Sequence, residues 1–275
     1  MSEPKITFIG GGNMAHAIYR GLVESGFPAE NIGVVDPSEA AQSAARASGL
    51  IRIAESATDA DLSADLIVLA VKPQITDIAL SPLAHRVSST ATVLSIIAGI
   101  NSASLANLLG LPNDDAVVRS MPNTPALVGE GMTGLFSNSD QRAHGRILAE
   151  RVMSAVGQCV WVSNESDLDL VTAISGSGPA YFFLFMESLA DAAVELGMSP
   201  QTAHQLSVQT ALGAAKLAQA SDDGLAKLRE NVTSPGGTTE QAIESFEASE
   251  LRAIVMSATR AAKKRSIELS EEFGL

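Results

Sequence analysis

The apolar run Ile6–Ile9 is followed at once by Gly10-Gly11-Gly12-Asn13-Met14-Ala15, and no other stretch limits the fold so tightly. Four β-branched and aromatic residues read as a buried strand, the glycines cannot continue it, and 13–25 has helical composition and spacing. The pattern G-x-G-x-x-A calls for strand, tight turn and helix in succession. Gly10 permits the turn, Gly12 carries no Cβ to block an approaching group, and Ala15 lets the helix lie close to the strand. The same rhythm continues through Ile32–Val35, 66–71, 93–97 and Val117–Met121, each strand-length and rich in Ile and Val, with 37–48 suited to a helix. These alternations predict a mostly parallel sheet covered on both faces, closed by two further strands over 132–136 and 159–162.

Beyond about Asn164 the character changes. The segments 171–174, 181–196, 203–220, 225–232, 240–246 and 251–273 lack two-residue alternation and favour helix formers. The expected fold class is α/β in the first part, a Rossmann-type dinucleotide-binding domain over 1–163. An all-helical domain over 164–275 follows it. Tyr181–Met186 is apolar on every side, which predicts burial between helices or against a second subunit.

Charge narrows the partners. Lys plus Arg number 18 against 31 Asp plus Glu, a formal net charge of −13. Nucleic acids and anionic membranes need a positive footprint, so neither is expected as a partner. The one cysteine, Cys159, offers neither a disulfide framework nor a thiolate metal site. With no secretory apolar core and no apolar stretch near the length of a membrane span, the expectation is a soluble, cytoplasmic chain.

The glycine turn then acquires chemistry. Free N–H groups at a helix start, approached over Gly12, suit a pyrophosphate, which points to NAD(H) or NADP(H). Asp36 ends the second strand, where an acid accepts hydrogen bonds from ribose hydroxyls and disfavours a 2′-phosphate. NAD(H) is therefore expected to be accepted, although hydroxyls and backbone around Ser38 leave NADP(H) open. Ala70-Val71-Lys72-Pro73 ends a further strand, where Lys72 either reaches the cofactor or is simply solvated. Ala98, at the end of the next strand, leaves room for the nicotinamide. His16, His85, His144 and His204 are scattered, and Ser175 and Ser177 lack the flanking glycines of a nucleophile elbow. No metal motif is present in the sequence. A nicotinamide cofactor with little acid–base machinery suits hydride transfer by positioning.

One segment remains, Ser234-Pro235-Gly236-Gly237-Thr238-Thr239 before an amphipathic run. A helix start needs only one capping side chain, so two glycines and two threonines are more than capping requires. Taken in order, FIGGGNMA, AVKPQ, MPNTPALVGEGMTGL, SGSGPAYFF, ALGAAK and ENVTSPGGTTEQAI make the chain resemble the pyrroline-5-carboxylate reductases from Lys5 to near Leu269. The resemblance implies reduction of the imine of L-1-pyrroline-5-carboxylate to L-proline by NAD(P)H. It implies a Rossmann domain with a helical domain that interlocks with a partner's into a dimer, commonly assembled further into a decamer. Cofactor contacts would fall on Ile9, Gly10, Gly11, Gly12, Asn13, Met14, Asp36, Ser38, Ala70, Val71, Lys72, Pro73, Ala98 and Asn231. Substrate contacts would fall on Glu165, Gly237, Thr238 and Thr239, with the Thr239 hydroxyl near the imine nitrogen as the catalytic group. Many members have Ser or Thr where Asp36 stands, which leaves cofactor preference open.

Two rivals use the same glycine turn. A β-hydroxyacid dehydrogenase would need a lysine on a helix opening the second domain, and 171–198 contains none. A cofactor-sensing protein without turnover would leave the SPGGTT segment without a purpose.

Overall fold

The computed structural model describes residues 3–59, 62–139 and 143–273. The described chain forms two compact units, one running to Ser177 and resuming at Ala262, the other Gly178–Ala261.

The first unit opens with β1 (Ile6–Ile9), α1 (Asn13–Glu24), β2 (Ile32–Val35), α2 (Glu39–Ala47), β3 (Arg52–Ala54) and β4 (Leu66–Leu69). Then come α3 (Thr76–Leu80), β5 (Thr92–Ser95), α4 (Ser102–Leu109), β6 (Val117–Met121), β7 (Gly131–Ser137), α5 (Ala143–Ser154), β8 (Gly157–Trp161) and α6 (Asp167–Val171). The eight strands make one sheet in the order β3-β2-β1-β4-β5-β6-β7-β8. All neighbours are parallel except β6 and β7. Strand order reverses between β1 and β4, which opens a crevice at their carboxyl ends.

Continuous apolar runs give this sheet two dry faces. Ile6, Phe8, Leu66 and Val68 join one buried cluster, while Ile9, Ile67 and Leu69 join the other. Each buried Ile, Leu or Phe contributes about 1.5–3 kcal/mol, so alternate residues of one short strand hold helices on opposite sides. α4 has conventional ends: Asn101 accepts from Ser104 N at 2.8 Å, and Gly110 closes the helix with φ of 65°.

Several expectations need adjustment. β3 was not expected, because three half-buried residues headed by Arg52 carry little strand signal. The second helix starts at Glu39, since Asp36 binds Ser38 N and holds the preceding residues extended. β8 begins at Gly157, and the helix expected from 171 instead begins at Asp167 and passes into a π-helical turn, Thr172–Gly176.

The second unit contains α7 (Gly178–Glu195), α8 (Pro200–Ala220), α9 (Leu225–Asn231), α10 (Thr238–Ala248) and the start of α11 (Leu251–Phe273). α8 starts at Pro200, three residues before the expected place, because Ser199 Oγ accepts from Thr202 N and proline occupies the first turn. Among the described residues of this unit, only Gly178, Ala203 and Ser207 are buried. Phe182 is 69 % exposed and Leu184 62 %, so the apolar run on α7 faces outward within one chain. The continuous helical stretch Asp167–Glu195 is long and apolar enough to cross a membrane by length and composition. This corrects the expectation that no segment approached that length.

Tyr19, on α1, is fully buried edge-on to Phe8, and among the described residues its hydroxyl has no hydrogen-bond partner. Burial, with the Asp36 charge second, pushes its pKa up to about 12. An acid so raised stabilises the fold fully below about pH 10, where the unfolded phenol is neutral, and that contribution is lost as pH rises towards 12. Tyr19→Phe is expected to remove this alkaline loss. It should also gain ~1 kcal/mol near neutrality by deleting an unpartnered buried hydroxyl. Urea unfolding at about pH 8 and about pH 11 checks both.

Candidate functional site

The crevice is built from backbone first. Gly10 N donates to Val35 O at 2.8 Å and Ala70 N to Ile9 O at 2.8 Å, so β1, β2 and β4 end together. Gly10 has φ of +100°, and a Cβ there would sit 2.5 Å from the Ala70 oxygen. Only glycine turns the chain at this point. Gly11 is confined on its other side, where a Cβ would lie 3.1 Å from Ala41 and Val34. Gly12 is the exception: it is the N-cap of α1 and a Cβ would meet nothing within 4 Å. No side chain caps α1, and among the described residues the N–H groups of Asn13, Met14 and Ala15 have no protein acceptor. Partial positive charge and open approach coincide there, an arrangement suited to an anion.

Asp36 is locked beside this turn. Its Oδ2 accepts from Gly11 N at 2.7 Å and its Oδ1 from Ser38 N at 2.8 Å. Its own N–H donates to Ala54 O at 3.1 Å, and Gln42 Nε2 donates to its carbonyl at 2.9 Å. The short β3 therefore helps place the acid, and Gln42 is a supporting residue that no sequence motif marks. Each Asp36 oxygen keeps a lone pair for another donor.

Ala70, Val71, Lys72 and Pro73 follow β4 along the same edge, with Ile75 N closing a turn on Lys72 O. The Lys72 side chain is exposed. Ala98 follows β5 and is exposed. It lines a small cavity with Arg119, Met121, Leu168, Thr172 and Leu269. The structure thus brings Ile9–Met14, Asp36, Ser38, Ala70–Pro73 and Ala98 to one edge of the first unit.

Glu165 lies in that unit as well, but its carboxylate is already engaged. Oε1 accepts from Ser102 N at 2.7 Å and from Arg119 Nη1 at 3.1 Å, while Oε2 accepts from Ser102 Oγ at 3.1 Å. The Arg119–Glu165 pair is mostly sheltered, with side chains 13 % and 27 % exposed. Ser102 Oγ also approaches Asp114 at 3.1 Å, so two carboxylates share one hydroxyl at the start of α4. Arg119 and Ser102 carry no sequence signal of their own; only the fold reveals their connection to Glu165.

The remaining expected residues belong to the second unit. Gly237 is the N-cap of α10 and lacks a side-chain cap bond. Gly236 has φ of +72°, and a Cβ on Gly237 would fall 2.6 Å from Ser234 Oγ. Glu240 reaches back to accept from Gly236 N at 2.7 Å, and Gly237 N donates to Ser234 O at 2.9 Å. Those bonds shape the turn and leave the N–H groups of Thr238, Thr239 and Glu240 without acceptors among the described residues. The arrangement is again suited to an anion and again made of glycines and a helix start. Asn231 ends α9, its Nδ2 3.4 Å from Asp223 Oδ2.

Comparison with known proteins places these features in company. Residues 165–269 match the family described as pyrroline-5-carboxylate reductase dimerisation, and residues 5–99 that described as NADP oxidoreductase, coenzyme F420-dependent. The chain is 46 % identical over 274 residues to the pyrroline-5-carboxylate reductase of Pseudomonas aeruginosa, with 100 % of each covered. It is 42 % identical to that of Haemophilus influenzae, over 99 % of this chain and 100 % of the relative. The solved structure of a pyrroline-5-carboxylate reductase from Coxiella burnetii has a TM-score of 0.90 at 39 % identity, covering 98 % of this chain and 99 % of that one. The Plasmodium falciparum pyrroline carboxylate reductase with NADP bound has a TM-score of 0.82 at 32 % identity, with the same coverage.

The two outer glycines of the first turn are expected to separate folding from binding. Gly12→Ala is expected to cost at most about 1 kcal/mol of stability, since its backbone suits alanine, while the new methyl weakens NADH affinity about tenfold or more. Gly10→Ala is expected to cost ~3 kcal/mol or more through left-handed strain and the clash with Ala70. Urea unfolding and quenching of NADH fluorescence, measured on both variants, check the contrast.

Proposed function

The chain belongs to the pyrroline-5-carboxylate reductase family: it reduces the imine of L-1-pyrroline-5-carboxylate to L-proline with NAD(P)H, and we propose that it does so by placement instead of acid–base catalysis. It is an oxidoreductase acting on a CH–NH group, in the last step of proline biosynthesis. The observation that carries the reading is the pair of glycine-built helix starts, at α1 and at α10, each with unpartnered N–H groups.

The first would hold the cofactor. Gly12 leaves the approach clear and the N–H groups of Asn13 to Ala15 would take the pyrophosphate. Ile9, Gly10, Gly11 and Met14 form the walls. Asp36 would accept ribose hydroxyls with the lone pairs its two backbone bonds leave, beside Ser38. Ala70, Val71, Lys72 and Pro73 would border the cofactor just beyond β4, and Ala98 would leave room for the ring. Asn231 would add a contact from the helical region. The bound cofactor supplies a hydride.

The second would hold the substrate. A protonated imine is already electrophilic, so its carbon needs no strong acid nearby. Gly237 and the N–H groups of Thr238, Thr239 and Glu240 would grip the carboxylate. Each such charge–dipole contact is worth only about 0.3–1 kcal/mol when exposed, so several must act together. The Thr239 hydroxyl would orient the imine nitrogen. Glu165 would act through Arg119, which lines the cavity beside Ala98.

We assign 1–163 to cofactor binding and 164–275 to dimerisation and substrate binding, supported by the dimerisation match over 165–269. Self-association accounts for the outward apolar face of α7, and we propose a dimer that assembles further into a decamer, located in the cytoplasm.

Two variants test the assignments, both read as loss of reduced-nicotinamide absorbance with pyrroline-5-carboxylate. Thr239→Ala is expected to lower turnover ~10- to 1000-fold, as one positioning hydrogen bond is worth on the order of 1–4 kcal/mol. Unchanged kinetics would remove Thr239 from the mechanism. Asp36 should make NADH a good donor, and Asp36→Ser should raise kcat/KM for NADPH relative to NADH by about tenfold, the effect of ~1.4 kcal/mol of relieved charge repulsion. A wild-type enzyme that strongly favours NADPH would refute the role given to Asp36.

A further inference from the structure

The motifs MPNTP and SGSGP, separated by about fifty residues of sequence, meet at one side chain. Asn123 is 8 % exposed. Its Nδ2 donates to Ser175 O at 2.9 Å, and its Oδ1 accepts from Met132 N at 2.9 Å. Because one partner is a carbonyl and the other an N–H, the amide fits in only this orientation. Proline explains why Ser175 needs such a partner. In an ordinary helix its carbonyl would accept from the residue four positions on, which is Pro179 and has no N–H. The helix widens before it: Ser177 N donates to Thr172 O at 2.8 Å, a five-residue reach, and Thr172–Gly176 is a π turn. π turns inside helices recur at functional sites.

This turn borders the cavity that holds Ala98. Thr172 and Met121 both line it, and Gly176 packs so closely on Met121 that a Cβ would stand 2.8 Å from the methionine methyl. Met121 and Asn123 are two residues apart, so the bond that holds the π turn also fixes the chain carrying Met121. From this geometry we infer that Asn123 is a positioning residue for hydride transfer: it holds the π turn so that Thr172 and Met121 shape the space beside Ala98. The inference rests on the reading that Ala98 marks the nicotinamide end.

Asn123→Asp in the full-length enzyme is the test. The side chain keeps its shape and still accepts from Met132, but its ionised form presents a lone pair to the Ser175 carbonyl where a donor stood. Losing one buried hydrogen bond in this way is expected to lower kcat ~10- to 100-fold at about pH 8. NADH affinity by fluorescence should stay within about twofold of wild type, because the glycine turn is untouched. The deficit relative to wild type should shrink as pH is lowered to about 5.5, where a protonated carboxyl can donate again. With NADH deuterated at the transferred position, the isotope effect on kcat should rise. A folded variant with wild-type kcat overturns the inference. So does a loss of kcat matched by loss of NADH affinity with no recovery at low pH, which marks general disruption. If the charge prevents folding, Asn123→Ser, neutral and smaller, carries the same kcat and affinity comparison; failure of both variants to fold assigns Asn123 to stability alone and overturns the inference. Wild type run alongside separates the claims. Its failure to consume either NADH or NADPH with the imine would overturn the reductase reading and this inference together, whereas normal wild-type turnover with an unaffected variant overturns this inference only.

Discussion

At the end of β1 the backbone of Gly10 approaches the Ala70 carbonyl so closely that no side chain can stand between them. That approach is where the sheet changes direction, with β2 on one side of β1 and β4 on the other. The strands below are held by burial of alternate residues on two faces, which fixes their register. The chain above has only the conformations that glycine allows. Gly11 then presents its N–H to Asp36, and α1 starts uncapped over Gly12. The edge proposed to hold the cofactor is thus a consequence of how tightly two strands can part, and its polar groups are mostly backbone.

The same device appears twice with different means. At α1 the turn is set by strands, whereas at α10 it is set by Glu240 reaching back to Gly236 and by Gly237 folding onto Ser234. In both, the groups that shape the turn are distinct from the N–H groups left over. Neither helix start offers a titratable donor to a ligand, which accords with a reaction whose acceptor is already activated and whose hydride comes from the cofactor.

Much of this was legible in the sequence because it depends on local rules. The Ile- and Val-rich runs specify buried parallel strands, and glycine spacing specifies the turn without knowledge of the rest. The SPGGTT segment stood out because it exceeded what capping needs. What escaped notice depends on partners far apart in sequence. β3 is three half-buried residues whose role is to pair with β2 and receive the Asp36 N–H. The ties of Glu165 to Ser102 and Arg119 join three elements with no shared motif. The π turn needed both Pro179 and an amide from Asn123, and neither alone signals it. The length of the helical stretch Asp167–Glu195 escaped notice because its polar residues break the apolar run in the sequence while leaving the helix unbroken.

The helical unit, with three buried residues of its own, has a consequence for how this enzyme behaves on dilution. Burial that one chain does not supply has to come from association, so the stability of the assembled unit varies with protein concentration. Each tenfold dilution removes ~1.4 kcal/mol of free energy from a two-chain assembly. An activity measured at low enzyme concentration therefore reports occupancy of the assembly multiplied by the rate of the chemistry. A substitution on the exposed face of α7, far in sequence from the helix starts at Gly12 and Gly237, can cause what looks like a catalytic defect in dilute solution, one that vanishes in concentrated solution.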